Sequence, residues 1–253
     1  MLQEKLDILS NEKLTSDIFR MWLTSDKENV RSTFKEIKAG QFINIAIEGC
    51  YLRRPISICD LDDKQICIVY KVVGKGTKIL SEMQPAESLD VLLPLGNGFN
   101  LENSGERPLL IGGGVGVPPL LLLAKHLISQ GKQVDVVLGF NKQQDIILKN
   151  KFGNLGCQLT IATVDGSVGY KGFVTDAIKI INANKNNSCF YACGPMPMLR
   201  ALHKELTIDG QMSLEERMGC GFGVCVGCTC NTKNGWKQVC TDGPVFNNNE
   251  LIF

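Results

Sequence analysis

The sequence has almost no excess of charge of either sign, since 27 lysines and arginines stand against 26 aspartates and glutamates in 253 residues. It also lacks a basic stripe with interleaved aromatic residues, so nothing indicates a nucleic-acid-binding protein. The longest apolar stretch, residues 108–123, is interrupted by glycines and prolines, which argues against a membrane-spanning helix. Residues 1–17 show no secretory-signal pattern. We therefore expect a cytoplasmic protein without a membrane or nucleic-acid partner.

The remaining composition is that of a globular protein, with 44% hydrophobic and 21% charged residues. A chain of this length can form two ordinary domains and a small appendage. Eleven cysteines in a chain without a visible export signal favour a reducing compartment and a metal centre over a disulfide framework.

Four cysteines near the C-terminus carry the most specific pattern. Cys220, Cys225, Cys228 and Cys240 follow the order Cys-x4-Cys-x2-Cys-x11-Cys, and the first three have the spacing with which plant-type ferredoxins bind a two-iron cluster. Glycines among them suit a loop whose backbone N–H groups approach the cluster sulfurs. A four-cysteine zinc site is the alternative, although zinc ligands usually come as two close pairs and only Cys225 and Cys228 form one.

Cys230 lies two residues after Cys228 and could compete with it as the third ligand, but the Cys-x2-Cys spacing favours Cys228. Asn234-Gly235 is a strong hairpin-turn signal. We therefore predict short strands over residues 229–233 and 236–239, which would return Cys240 to the other three cysteines.

The first hundred residues alternate short β-prone runs with turns, a pattern typical of a sheet that closes into a barrel or packs as a sandwich. The predicted strands cover residues 18–23, 41–47, 56–59, 65–73 and 89–92. A polar, turn-rich stretch at 101–107 predicts a domain boundary.

From residue 108 onward, apolar runs alternate with segments of helical period, which predicts an α/β domain with a parallel sheet covered on both faces. The predicted strands are 109–111, 133–138, 158–163, 188–192 and 211–214, and the predicted helices are 118–129, 143–151, 175–182 and 196–206.

Two loops of this second domain are candidates for nucleotide binding. Gly112, Gly113, Gly114 and Gly116 follow a strand and precede a helix, where glycines let a pyrophosphate approach a positive helix end. Cys193, Gly194 and Pro195 follow another strand at the same sheet edge, so the two loops are predicted to flank one crevice. The glycine loop departs from G-x-G-x-x-G, and no acidic ribose ligand or clear arginine for an extra phosphate follows, so NAD and NADP both remain possible.

The first domain offers a second candidate site. Arg54 precedes a predicted strand, while Gly76 and Thr77 follow another. The arginine fork, a backbone N–H and a hydroxyl could together bind a phosphate group. A surface arginine and an ordinary β-turn are the alternative interpretation of these residues.

Taken in order, several motifs resemble those of the ferredoxin-NADP reductase superfamily and, more narrowly, of the electron-transfer subunits of NAD-dependent dihydroorotate dehydrogenase. They are Arg54-Pro55-Ile56-Ser57, Gly74-Lys75-Gly76-Thr77, Pro94 to Phe99, the glycine loop, Cys193-Gly194-Pro195-Met196 and the terminal cysteines. The resemblance covers essentially the whole chain. It implies an FAD-binding β-barrel over residues 1–100, an NAD-binding α/β domain over 101–212 and a [2Fe-2S] segment over 213–253.

Site residues and partners also follow from the resemblance. Residues expected to contact FAD are Arg54 at the pyrophosphate, Pro55, Ile56, Ser57 near the flavin ring, Val69, Tyr70, Lys71, Gly76 and Thr77. The glycine loop and Cys193 to Pro195 would face NAD, and Cys220, Cys225, Cys228 and Cys240 would ligate the cluster. The implied partner is an FMN-containing dihydroorotate dehydrogenase catalytic subunit, in a heterotetramer of two of each.

The resemblance implies that electrons from dihydroorotate reach NAD through these cofactors in pyrimidine (UMP) biosynthesis, with no residue of this chain serving as general acid or base. Two alternatives stay open. One is a flavin and iron–sulfur subunit of a sulfide dehydrogenase, sulfite reductase or hydrogenase, and the other is a zinc-stapled, non-redox scaffold.

Overall fold

Residues 2–95 form a closed barrel of six antiparallel strands in the order β1-β2-β5-β4-β3-β6. The computed structural model describes all residues from 1 to 253. The barrel strands are β1 (Leu2–Lys13), β2 (Ile18–Thr24), β3 (Phe42–Ile45), β4 (Arg54–Leu61), β5 (Gln65–Lys71) and β6 (Ser88–Leu95), with helices α1 (Glu28–Phe34) and α2 (Lys75–Glu82) between strands. The predicted all-β first half is confirmed, and the sheet closes as a barrel.

The sequence analysis does not predict strand β1 or either of the two barrel helices. In β1 only Leu6 and Ile8 are fully buried, and the remaining residues, mostly polar or charged but including Leu9, are half-buried or exposed. One face therefore carries too few apolar residues to show a clear period of two. The helices are only seven and eight residues long, too short for a distinct helical period.

The second domain is a parallel sheet with helices packed against it. Its strands are β7 (Pro108–Gly113), β8 (Asp135–Phe140), β9 (Gln158–Thr163), β10 (Tyr170–Lys171), β11 (Cys189–Cys193) and β12 (Gly210–Ser213); its helices are α3 (Pro118–Ser129), α4 (Lys149–Asn154), α5 (Val174–Ile180), α6 (Ala183–Asn186) and α7 (Met196–Glu205). These six strands lie in the order β10-β9-β8-β7-β11-β12. The predicted parallel α/β arrangement is confirmed.

One predicted helix, over residues 143–151, is wrong in extent. A 3-10 turn covers Gln143–Asp145, and the α-helix begins only at Lys149. Ile147 is buried in the core, and Leu148 takes a left-handed conformation with φ of 60°. The apolar residues here anchor an irregular segment to the core instead of forming one face of a helix.

The C-terminal segment connects the two larger units. The predicted hairpin is confirmed as β13 (Thr229–Thr232) and β14 (Gly235–Gln238). Strand β15 (Val245–Asn247) then pairs antiparallel with β12 and becomes the seventh strand of the second sheet. Residues beyond the predicted boundary at 213 thus include one strand of that sheet, and the boundary itself stays a prediction.

The longest helix, α3, has only 12 residues. None of the helices combines the length and apolar character that crossing a bilayer requires.

Candidate functional site

The barrel opens between β4 and β5, where the predicted FAD residues lie. The two strands pair with each other only over residues 58–61 of β4. Residues 54–57 of β4 pair with β3, and residues 69–71 of β5 pair with β2. The facing edges of these two segments therefore carry backbone groups without a strand partner, and we call this opening the β4–β5 groove.

One end of the groove combines an arginine with a helix N-terminus. A Cβ atom added to Gly76 in the first turn of α2 would lie 2.8 Å from Arg54 Nε and 3.1 Å from Cζ, so the guanidinium rests on the glycine backbone. The Thr77 hydroxyl donates to Gly74 O at 3.2 Å and accepts from Val73 N at 2.9 Å. Thr77 therefore caps the helix, and the backbone N–H groups and Arg54 remain as donors for a pyrophosphate.

The three predicted residues of β5 differ in what they can offer. Val69 and Tyr70 are buried, and the Tyr70 hydroxyl donates to Asn11 Oδ1 at 2.9 Å. Burial also raises the pKa of Tyr70. Lys71 is exposed, and its Nζ lies 3.2 Å from Asp17 Oδ2. Of these side chains, only Lys71 is free to reach a ligand.

A cleft of about 740 Å³ lies between the barrel and the second domain, within the size range of cofactor sites. Barrel residues 16–18 and Lys71 form one wall. The other wall comes from both predicted nucleotide-binding loops and from residues that follow β8 and β9, including Gly113, Gly114, Pro195, Met198, Asn141 and Val164. The prediction that the two loops flank one crevice is confirmed.

The glycines of the first loop have different surroundings. Gly113 and Gly114 line the cleft, and Gly114 has a φ of +54° with open space where a side chain would begin. Gly112 lies away from the cleft, where a Cβ atom would come within 2.8 Å of Val117 Cγ2. Gly114 is thus required by backbone conformation, and Gly112 by the packing of strand against helix.

Gly116 brings the two loops into contact. A Cβ atom there would lie 2.5 Å from the Cys193 carbonyl carbon and from Gly194 Cα. Burial raises the pKa of the Cys193 thiol to about 12, opposed by a hydrogen bond with Ser213, so this thiol stays protonated. Cys193 does not line the cleft. Of the second loop's predicted residues, Pro195 lines the cleft, while Cys193 and Gly194 form its support.

The cleft also contains residues that the sequence did not single out. Phe173 is 64% exposed and Val164 41% exposed, although both are apolar and both line the cleft. Lys142 and Asp145 add charge to the same wall. Their only sequence signal is position, because each follows a predicted strand or begins a helix at the carboxyl edge of the sheet.

The four predicted ligand cysteines form two pairs. The thiols of Cys220 and Cys225 contact each other, and the Cys225 N–H lies 3.4 Å from Cys220 Sγ. The buried thiols of Cys228 and Cys240 form the second contact. No group of three or more metal-binding side chains is preformed in this loop. Two pairs suit a two-iron centre with two cysteines on each iron better than a single zinc ion.

The chemistry of the loop fits thiolate ligands. Burial alone would raise the pKa of Cys220, but backbone N–H groups of Cys225, Phe222 and Val224 outweigh it and lower the pKa to about 6. A Cβ atom on Gly219 would come 3.2 Å from Cys225 Sγ, so glycine permits the backbone to lie against the sulfur. By contrast, burial and then the Glu216 charge raise the pKa of Cys230, which lies within strand β13.

Exposed apolar side chains cover the outside of this loop. Val224 and Val226 are 78% and 79% exposed, and Phe222 is also exposed. They lie between Cys220 and Cys228, two of the predicted ligands, so any protein bound over them would lie next to the predicted cluster site. We call residues Phe222, Val224 and Val226 the cluster-loop patch.

Two polar residues that support the cluster loop have no local sequence signal. Asn44 Nδ2 on β3 donates to the carbonyl O of Cys220 at 2.9 Å. Gln238 Nε2 on β14 donates to Cys225 O at 2.7 Å. The first of these contacts joins residues 176 positions apart, so only the tertiary fold brings them together.

Comparison with known proteins gives matches over the whole chain. Residues 215–252 match the family model of the iron–sulfur cluster binding domain of dihydroorotate dehydrogenase B, and residues 110–204 match that of the oxidoreductase NAD-binding domain. The dihydroorotate dehydrogenase B (NAD(+)) electron transfer subunit of Geobacillus sp. (strain WCH70) is 41% identical over 100% of this chain and 99% of its own length. That of Bacillus pumilus (strain SAFR-032) is 42% identical over 99% and 98%.

Solved structures agree with the fold. A chain of the NADH-dependent reduced ferredoxin-NADP oxidoreductase, studied for flavin-based electron bifurcation, is 32% identical with a TM-score of 0.88, covering 98% of this chain and 89% of that one. A ferredoxin NADP+ reductase from Neisseria gonorrhoeae with bound FAD and NADP is 15% identical with a TM-score of 0.68, covering 80% and 89%. The latter likeness concerns the fold alone.

Proposed function

Because the chain belongs to the family of electron-transfer subunits of NAD-dependent dihydroorotate dehydrogenase B, we propose that it links dihydroorotate oxidation on a partner subunit to NAD in pyrimidine biosynthesis. Its cofactors are FAD, a [2Fe-2S] cluster and NAD. When bound, a flavin exchanges a hydride with a nicotinamide and single electrons with an iron–sulfur centre. The residues that hold FAD must therefore lie between those that hold the other two.

One observation carries this proposal: the β4–β5 groove has the nucleotide cleft on one side and the cluster loop on the other. Lys71 at the end of β5 belongs to the cleft wall. On β3, which pairs with residues 54–57 of β4, Asn44 donates a hydrogen bond to the cluster loop. The three sites therefore share neighbouring barrel strands.

We assign the side chains of this chain to holding and orienting roles. Arg54 and the N-terminus of α2 bind the FAD pyrophosphate, and Pro55, Ile56 and Ser57 line the groove along β4. Val69 and Tyr70 contribute mainly backbone. Around the nucleotide cleft, Gly113, Gly114 and Pro195 contact NAD directly, whereas Gly112, Gly116, Cys193 and Gly194 set the shape of the loops.

An electron-transfer subunit works with a catalytic partner subunit. We propose that this partner contains FMN, that two copies of each chain form a heterotetramer, and that the partner docks over the cluster-loop patch. Exposed valine and phenylalanine side chains on one loop favour such an interface, because burying them on association is favourable. A partner that docks over the cluster-loop patch would have its FMN close to the cluster.

A Cys225→Ser substitution tests the cluster assignment. The variant should lose iron and the visible absorption of the cluster but keep FAD, since the groove lies on other elements. Reconstituted with its partner, it should no longer support dihydroorotate-dependent NAD reduction, while NADH still reduces an artificial acceptor. The matched control is Cys230→Ser, which should keep both cluster and coupled turnover. Coupled turnover retained by Cys225→Ser would contradict the proposal.

The partner's identity needs a separate measurement. Purified chain should be mixed with a candidate FMN-containing dihydroorotate-oxidising subunit and assayed for NAD reduction by dihydroorotate. A complex that transfers electrons only from sulfide, sulfite or hydrogen would instead support the alternative oxidoreductase assignments. A colourless, iron-free protein purified without oxygen would support the zinc-stapled scaffold.

A further inference from the structure

Asn44 is a buried amide in the wall of the barrel. Its side chain is 1% exposed, and Nδ2 donates to the carbonyl O of Cys220, the first cysteine of the cluster loop, at 2.9 Å. Its neighbours Ile43 and Ile45 are fully buried apolar residues on the opposite face of the strand, whereas the Asn44 side chain faces the cluster loop. A polar side chain in this position therefore requires an explanation other than the packing of the barrel.

The other end of the amide has no partner. Asn44 Oδ1 is buried and accepts no hydrogen bond, and leaving a buried acceptor unsatisfied is destabilising. Rotating the amide by 180° would direct Oδ1 at the Cys220 carbonyl and place two acceptors against each other. The orientation is therefore set by Cys220, and the contact to Cys220 is what the asparagine contributes.

Residues on both sides of the contact between Asn44 and Cys220 stabilise it. Gly221 has a φ of +80°, and a Cβ atom on it would overlap Asn44 Nδ2, so only glycine lets the cluster loop come this close. On the barrel side, Arg53 Nη1 donates to Asn44 O at 3.3 Å and to Asp90 O at 3.1 Å. Arg53 also forms an ion pair with Asp90 at 2.6 Å, which fixes the backbone of Asn44.

The strand register places Asn44 next to the proposed FAD site. Asn44 is opposite Pro55, and Ile43 is opposite Ile56. A single side chain therefore connects the strand that borders the β4–β5 groove to the backbone of a cluster ligand. No other side-chain hydrogen bond joins a barrel strand directly to a ligand cysteine.

We propose that Asn44 is a positioning residue for electron transfer: it holds Cys220, and with it the cluster, at a fixed distance and orientation from the flavin. This inference rests on the proposed function. Hydrogen bonds to the backbone of a cluster ligand also influence the charge on its sulfur, and outer-shell partners of this kind tune a metal centre. Asn44 should thus affect both the cluster's potential and the rate at which NADH reduces it.

The test uses the complete chain with its cofactors and compares wild type, Asn44→Leu and Asn187→Leu. Leucine has nearly the shape of asparagine but no donor. Asn187 is a matched control, because it is also a buried asparagine with an unpaired Oδ1, yet it donates to Arg107 O and Asp135 Oδ2 in the second domain. Iron and FAD content, thermal stability, the EPR spectrum of the reduced cluster and its midpoint potential are measured for each variant.

Asn44→Leu should retain FAD and iron but show shifted EPR g values and a shifted midpoint potential. Stopped-flow mixing with NADH should give unchanged flavin reduction and slower cluster reduction. Asn187→Leu should lose stability without any of these spectroscopic changes. If Asn44→Leu does not fold, Gly221→Ala breaks the same contact from the loop side and should produce the same shifts.

The results that would overturn the proposed function differ from those that would overturn only the role of Asn44. A wild-type protein that never shows an iron–sulfur EPR signal would overturn the proposed function itself. A wild-type protein with a normal cluster, together with Asn44→Leu and Gly221→Ala variants whose g values, potential and reduction rate match those of wild type, would overturn the role of Asn44 alone.

Discussion

The contact between the two loops of the nucleotide cleft can be tested with a single methyl group. In the Gly116→Ala variant the new Cβ atom would lie 2.5 Å from the Cys193 carbonyl carbon and from Gly194 Cα. Non-bonded carbon atoms prefer separations of about 3.5–4.0 Å. Since the opposing atoms belong to backbone, they cannot rotate away, and the two loops must separate by roughly 1 Å.

The expected magnitude follows from this displacement. Overpacking of a tight contact costs about 1–3 kcal/mol. If the whole of this energy is lost from the free energy of NADH binding, the affinity for NADH falls by about 5- to 150-fold. The added methyl group meets Cys193 and Gly194 first, not the Arg54 end of the groove or the cluster loop, so the flavin and iron–sulfur absorption should be unchanged.

The assay is NADH oxidation with an artificial acceptor, recorded as a function of NADH concentration. Gly153→Ala is the control, because no atom lies within 4 Å of the added Cβ position and alanine in helix α4 should stabilise by about 0.5–1 kcal/mol. The Gly116→Ala variant should show a raised KM for NADH with a normal cofactor spectrum. An unchanged KM in a folded, fully loaded variant would refute the idea that this contact shapes the cleft.

Two further substitutions test the groove and the second domain. Gly76→Ala should displace the Arg54 guanidinium from the helix N-terminus and weaken FAD binding about tenfold. The measurement is the flavin fluorescence released when the protein is diluted. Full retention of FAD would argue against Arg54 at the pyrophosphate. Arg107→Ala removes the arginine that forms an ion pair with the buried Asp135 carboxylate at 2.9 Å. Because Arg107 is 44% exposed, we expect the free energy of unfolding, measured with urea, to fall by about 2 kcal/mol. Lys132→Ala, which breaks an exposed pair, should cost under about 1 kcal/mol, and equal losses would contradict this ranking.

Much of the second domain could be predicted because its signals are local. Helix α3 begins at Pro118 and ends at Ser129 as predicted, since paired prolines mark its first turn and Gly131 follows its end. The two nucleotide-binding loops could be assigned to one crevice because each follows a strand of the same parallel sheet. In such sheets, order along the chain determines which loops meet at the carboxyl edge.

The groove and the loop supports depend on pairing that a sequence does not display. Residues 54–57 and 65–71 belong to two β-prone regions. Nothing in the local sequence indicates that β4 and β5 stop pairing on the N-terminal side of Ile58. The Asn44 contact with Cys220 likewise depends on how the C-terminal segment lies against the barrel. Resemblance to a family can name the residues of such a site, but only the fold shows which side chains are already used, as for the Thr77 hydroxyl.

Lys71 illustrates how the structure refines one of these assignments. The resemblance associates it with FAD, whereas the structure places it in the wall of the nucleotide cleft as well. Its partner Asp17 is 41% exposed and Lys71 itself 45% exposed, and an ion pair so open to solvent contributes no more than about 1 kcal/mol. Lys71 can therefore exchange Asp17 for a phosphate at little cost in stability. A lysine at the junction of groove and cleft is thus available to either nucleotide, and the weakness of its ion pair is what leaves it available.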